Sequence, residues 1–191
     1  SCILYKEQSF GFDVKLLQKD LSEFVLERLK NYLKEKQIRN DIIESSTNTS
    51  NIDELLKVFN KSVALNKNIK KDFCQDVISI YKRSSNILVS EKQNSSEIIG
   101  SADPGLFKND FEKSLYKRIH DIRKYFSSTG KSENYEESLK ILSLAKNEVN
   151  AFFDNVVVND NDPIIKKNRL ELIQMLCKSF ESYFNFSKIE A

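Results

Sequence analysis

Ala151-Phe-Phe-Asp-Asn-Val-Val-Val-Asn-Asp-Asn-Asp-Pro-Ile-Ile-Lys-Lys-Asn-Arg-Leu170 joins two strongly patterned helices through a short polar link. Upstream, Leu139, Leu142, Ala145, Val149, Phe152 and Phe153 recur at helical spacing and bring an aromatic pair to the end of one helix. Asp162-Pro163 then restarts the chain. An Asp side chain accepts from the free N–H groups of a first turn, and Pro has no N–H to leave unpaired there and a φ already suited to a helix. Leu170, Ile173, Cys177, Phe180 and Phe184 follow on one face, widened by Leu172, Leu176 and Tyr183, so the last helix is expected to be buried on more than one side. The plain physical reading is a helical hairpin closing a core. Lys166, Lys167, Asn168 and Arg169 fall on its first turns, where basic donors on a rigid element suit a polyanion.

Composition agrees with helices. Of 191 residues, 40% are apolar, enough for a packed core, while four Gly, two Pro and no Trp argue against a β-sandwich or barrel with its many tight turns. The reading is an all-α helical bundle of about seven helices. Asp13 is expected to open the first, with Leu17, Leu21, Phe24, Leu29 and Tyr32 on its inner face, running to about Lys36. Asp41 to Glu44 reads as a short helical turn, and Asn51 with Glu54 as a capping box for the helix bearing Ile52, Leu55, Leu56, Phe59 and Val63. Phe73 to Leu88 form a fourth helix, Ser90 to Ala102 a long polar linker, and Phe107 to Phe126 a fifth helix.

Charge and chemistry exclude more than they assign. Lys and Arg number 30 against 28 Asp and Glu, so bulk charge does not announce a nucleic acid. Between Lys57 and Arg83, however, seven cations (Lys57, Lys61, Lys67, Lys70, Lys71, Lys82, Arg83) face only Asp72 and Asp76. Lys113, Lys117, Arg118, Arg123 and Lys124 form a second block, offset by Glu112 and Asp121. Such runs serve either as solvated helix faces or as binding patches. Cys2, Cys74 and Cys177 lie far apart and fit neither a disulfide framework nor a zinc site; His120 is the sole histidine and reads as a helical surface residue. There is no Ser/His/Asp set and no glycine-rich phosphate cradle. No apolar run approaches the roughly 20 residues that span a bilayer, and a signal pattern is missing at the N-terminus. A cytoplasmic chain, with no membrane partner, is expected. Without an initiator Met it reads as an excised piece of a longer protein.

Three pieces line up in order: Tyr81-Lys-Arg-Ser-Ser-Asn-Ile-Leu88; Asp103-Pro-Gly-Leu-Phe107 with Glu112 and Leu115; and Phe152-Phe-Asp-Asn-Val-Val-Val158 with Asn168-Arg-Leu170. Together they resemble the C-terminal part of the bacterial glycyl-tRNA synthetase beta subunits, which show a Lys-Arg-x-x-Asn-Ile helix, a Phe-Phe-Asp-x-Val-x-Val corner and an Asn-Arg-Leu helix start. Upstream, Ile3 to Glu7, Phe12-Asp-Val14, Arg28-Leu29, Tyr32-Leu33 and Asp41-Ile42 extend the resemblance over essentially the whole chain. Ser84 and Lys61-Ser62 depart from it, standing where a small aliphatic residue and Arg-Val are usual. From about Phe73 onward the chain also resembles the all-helical anticodon-binding domain of arginyl-tRNA synthetases.

The resemblance implies a helical body region over 1–66 and an anticodon-binding-like domain over 67–191. It implies a part of an aminoacyl-tRNA ligase that holds tRNA-Gly without performing the chemistry. Glycine activation, with its ATP and Mg, would belong to an alpha subunit in an alpha-beta hetero-oligomer, leaving this portion without a cofactor and without catalytic residues. The candidate tRNA-binding residues are Lys82, Arg83 and Asn86, with Lys82 and Asn86 on one helical face, and Lys166, Lys167, Asn168 and Arg169. Asp154 is expected to bind backbone N–H groups at the corner or to pair with Arg169. The alternative is a helical module that docks a partner subunit and touches no RNA.

Overall fold

The last long helix is the element around which the others are arranged. In the computed structural model, which describes residues 14–47, 54–94, 100–128 and 134–190, eight α-helices occur among the described residues: α1 (Val14–Glu35), α2 (Asn40–Ser46), α3 (Leu55–Asn68), α4 (Asp72–Asn94), α5 (Asp110–Ser128), α6 (Tyr135–Ser143), α7 (Lys146–Asn155) and α8 (Pro163–Glu181). Single 3-10 turns lie at Pro104–Leu106 and Phe186–Lys188. No strand occurs among the described residues, and the all-α reading stands. Twelve of the nineteen α8 residues are buried, which makes it the central rod. α4 packs against it and also meets α6, α7 and the C-terminal 3-10 turn, while α5 meets α7 and α8.

α8 starts where the sequence says. Asp162 Oδ1 accepts from the Ile164 N–H at 2.9 Å and Pro163 takes the first helical position. Phe152, Phe180, Phe184 and Phe186 are fully buried, and one contiguous core joins Leu33, Ile42, Ile43 and Leu65 to Val77, Leu139, Phe152 and Phe180. The core thus runs through residues on both sides of position 66/67. α2 is also tied to the chain beyond α8: Asn185 N–H donates to the Ser45 carbonyl and Glu190 N–H to Asp41 Oδ2, both at 2.9 Å.

Several expectations need correction. The helix read through Leu139 to Phe153 is two, α6 and α7, separated at Leu144-Ala145 by tight backbone bonds from Leu144 to Ile141 and from Ala145 to Leu142. No Gly or Pro marks that break; Ala145 is fully buried, and its small side chain lets the turn press on the core. The linker read from Ser90 begins as helix, because α4 continues to Asn94. Its other end is anchored: Ala102 is buried and its N–H points at Met175 Sδ, 3.4 Å away. Gly100 has φ +154, and a Cβ there would collide with the Glu171 carboxylate, so only glycine fits. α5 begins at Asp110, after a turn containing Phe107. Asp13, Asn51 and Cys2 lie outside the described residues.

Of the inner face expected of α1, Leu29 alone packs on the core, and the buried side chains of that helix are ones the expected face did not include. Leu26 and Leu33 are buried and Leu29 packs on the core, but Leu17, Leu21, Phe24 and Tyr32 are among the exposed large apolar side chains, with Phe24 57% exposed. Helical spacing identifies which side chains share a face; it does not say whether anything covers them.

Candidate nucleic-acid interface

The corner between α7 and α8 is held by a buried polar lattice. Arg169, 5% exposed, donates from Nε to Glu112 Oε1 at 2.6 Å and from Nη1 to Asp160 Oδ2 at 2.7 Å and the Val157 carbonyl at 2.8 Å. Glu112, fully buried, turns its second oxygen to the N–H groups of Lys108 and Asn109, while Asn109 Oδ1 accepts from the Glu112 N–H. That reciprocal pair is a capping box, with Asn109 at the cap and Glu112 three residues on. The Asn-x-x-Glu spacing was open to sequence reading and was missed. One carboxylate therefore closes the start of α5 and fastens it to α8.

Asn168, 2% exposed, works in the same lattice. Its Oδ1 accepts from the Asp103 N–H at 2.7 Å and its Nδ2 donates to the Asp103 carbonyl at 3.1 Å, so one amide pairs both backbone groups of the turn before α5. Asp160 is held below the usual carboxylate range, first by the Asp162 N–H and then, against some burial, by Arg169. Asn168 and Arg169, read from sequence as candidate RNA contacts, thus lie inside the protein with their polar groups engaged. Lys166 Nζ pairs with Glu91 Oε2 at 2.7 Å, joining α8 to the end of α4. Lys167 is exposed, at 3.9 Å from Glu171.

The α4 candidates sit close by. Arg83 lies over the Phe153 ring, 4.7 Å from its centroid, and its Nη2 is 3.3 Å from Asp154 Oδ1. Asp154 is exposed and pairs with Arg83, in place of the corner N–H groups or Arg169 expected for it. Lys82, half-buried, has no ion-pair partner among the described residues, and Asn86, one turn on, is exposed. α4 and the corner thus bring Arg83, Lys166 and Lys167 to neighbouring elements while withdrawing Asn168 and Arg169 from solvent. Ser84, the departure from the family pattern, is buried and resolves its hydroxyl on the Ile80 carbonyl at 2.7 Å.

Much of the first basic block is neutralised locally. Lys67, Lys71 and Lys140 surround Glu136, Lys57 pairs with Glu54, and Asp76 takes Lys146. Glu136 is held below its ordinary value, first by Lys140. In the second block Arg118 pairs with Glu148 and Arg123 is bonded into α8. Cys74 and Cys177 are buried and free, their thiols pushed up to about 12 by burial. His120 is exposed and its ring lies tilted against that of Tyr116, with centroids 4.4 Å apart.

A helical bundle with a polar lattice under the α7–α8 corner and exposed cations beside it is a rigid frame that presents charge to solvent. The chain belongs to the DALR anticodon binding domain family, whose model matches residues 77–191. Over 126 residues, 66% of this chain, it is 34% identical to the glycine–tRNA ligase beta subunits of Rickettsia africae (strain ESF-5) and Rickettsia conorii. It is equally similar, over 119 residues, to that of Rickettsia prowazekii. The matched part amounts to 18% of the length of the first two relatives and 17% of the third. The resemblance read in the Phe-Phe-Asp corner and the Asn-Arg-Leu helix start is met.

Proposed function

We propose that this chain is the non-catalytic, tRNA-binding portion of a glycine–tRNA ligase beta subunit, recognising the anticodon region of tRNA-Gly while an alpha subunit, with ATP and Mg, attaches glycine. The carrying observation is the family match over 77–191 together with the beta-subunit relatives. Physically, the bundle supplies what such a task needs: rigid helices from which cations reach backbone phosphates, and polar groups that meet base edges. Lys82 and Asn86 are the favoured pair, one turn apart on α4, one a phosphate anchor and the other able to read a base. Arg83 adjoins Lys82 in the chain and Lys167 adds an exposed cation at the start of α8; Lys166, tied to Glu91, contributes field more than contact. Asn168 and Arg169 act through the frame. No helix among the described residues is long and apolar enough to cross a membrane.

The test is titration of tRNA-Gly at several salt concentrations. Affinity is expected to fall steeply with salt, and Lys82→Ala with Asn86→Ala to weaken binding about tenfold without lowering the melting temperature. Unchanged affinity in the folded double variant removes α4 from the interface.

A second reading has its own support. The exposed stripe Leu16, Leu17, Leu21 and Phe24 on α1 suits a protein partner such as the rest of a beta subunit or an alpha subunit. Binding to an isolated alpha subunit with no tRNA affinity at low salt would favour it.

A further inference from the structure

A cleft of about 590 Å³ opens at the far end of α8 from the corner. Lys57 and Lys61 of α3, Arg123 and Phe126 of α5, and Lys178 and Tyr183 around the end of α8 are the wall residues that matter, with Ser46 of α2 and Tyr135 of α6 at its margins. Its volume lies within the roughly 300–1,000 Å³ of small-ligand sites. Residues 46 to 61 precede the segment matched by the family model, so the cleft is not a property of that segment alone.

Its chemistry is two-fold. Lys57, Lys61, Arg123 and Lys178 face two carboxylates, Glu54 and Glu181, so this small surface holds a surplus of two cations, as large as that of the whole chain. Glu181 is further occupied, accepting the Tyr81 hydroxyl at 2.7 Å. Arg123 is anchored: Nε donates to Ser179 Oγ at 2.9 Å and Nη2 to the Met175 carbonyl at 3.0 Å, leaving Nη1 without a partner among the described residues. Beside these cations is an aromatic wall. Phe126, half-buried, stands with its ring centroid 4.0 Å from that of Tyr183, and Lys61 Nζ lies about 6 Å from the centroids of both Tyr135 and Phe184.

We propose that this cleft receives one unstacked nucleotide of the bound RNA, its base against Phe126 and the edge of Tyr183 and its phosphate among Lys57, Arg123 and Lys178. Aromatic side chains stack on any base and cations track the backbone, so the two kinds of wall suit the two halves of a nucleotide. This deepens the tRNA-binding reading and rests on it.

The test uses the 191-residue chain and anticodon stem-loop RNAs of tRNA-Gly carrying 5-iodouridine at one loop position at a time, irradiated and mapped by mass spectrometry. For at least one position, cross-links to Phe126, Tyr135 or Tyr183 are expected. Lys57→Glu with Lys178→Glu is expected to abolish them and to weaken RNA binding about tenfold or more, with the circular-dichroism melt unchanged. Phe126→Leu, which keeps an apolar side chain, is expected to weaken binding about fivefold or more through lost stacking. RNA bound with cross-links only outside the cleft, or with unchanged affinity in these variants, overturns the cleft and leaves the tRNA-binding reading standing. No RNA binding by the parent chain at low salt overturns both. Free cytidine monophosphate saturating the cleft while RNA affinity ignores the variants assigns it to a soluble nucleotide and overturns the proposal.

Discussion

At its N-terminal end α8 carries Lys166 and Arg169; at its C-terminal end Lys178 sits with Arg123 of α5 alongside. The side chains are of one kind, yet their uses differ. At the first end, three carboxylates (Glu91, Glu112 and Asp160) come from three other segments and absorb the cations into the frame. At the second, Arg123 spends two nitrogens on a hydroxyl and a carbonyl, Lys178 donates to the Gln174 amide and Lys57 has a single, part-exposed partner in Glu54, and all three line an open cleft. What decides between a structural and a ligand-facing cation is which acids the fold delivers to it, a property of the packed chain and not of the local sequence.

The largest effect tests the closed end. Arg169→Leu leaves the fully buried Glu112 without its cation, and a loss of about 3–5 kcal/mol is expected in denaturant unfolding. Replacing Glu112 by Leu as well is expected to recover only part of it, because the Lys108 and Asn109 N–H groups lose their acceptor. A near-neutral Arg169→Leu would erase the contrast between the two ends.

α2, which lends Ser46 to the open end, is held to the C-terminal segment through Asp41. Burial pushes its carboxyl up, but the Glu190 N–H, the Arg39 guanidinium and the Ile42 N–H together bring it below the usual 3.8. A depressed folded value means the contribution is complete above the unfolded value and disappears as pH falls through the folded one. Asp41→Asn is therefore expected to cost about 1–3 kcal/mol near neutrality, with the gap to the parent closing below the usual 3.8 in melts taken as a function of pH. A gap independent of pH would remove the charge from the explanation.

Smaller still, Asp162→Ala removes the cap at the start of α8 and is expected to cost about 1 kcal/mol, with Asp162→Ser close to neutral. Leu17→Ser and Leu21→Ser, on the uncovered part of α1, are expected to stay within about 0.5 kcal/mol of the parent. A larger loss would mean that α1 is covered in solution.

The sequence disclosed the fold where signals are local. Asp162-Pro163 named its own helix start, and the aromatic periodicity of Phe180 and Phe184 named a buried face. It was silent where a decision depends on something distant. The break at Leu144-Ala145 has no Gly or Pro to announce it, because the turn is set by how Ala145 meets the core. Asn168 and Arg169 are hydrophilic and sit in the second turn of α8, so they read as outward; only the arrival of Asp103, Glu112 and Asp160 places them inside. The cleft was illegible for the same reason, its walls being drawn from residues 46 to 183.

The bond from Glu190 to Asp41 joins positions 149 residues apart. At about 5–20 residues per second, on the order of ten seconds or more of translation separate the appearance of these two partners. Throughout that interval α2 waits beside the ribosome without the segment that fastens it. The cleft assembled from α2, α3 and the last turn of α8 thus waits on the synthesis of Tyr183, and a nascent chain halted within α8 has no such cleft to offer.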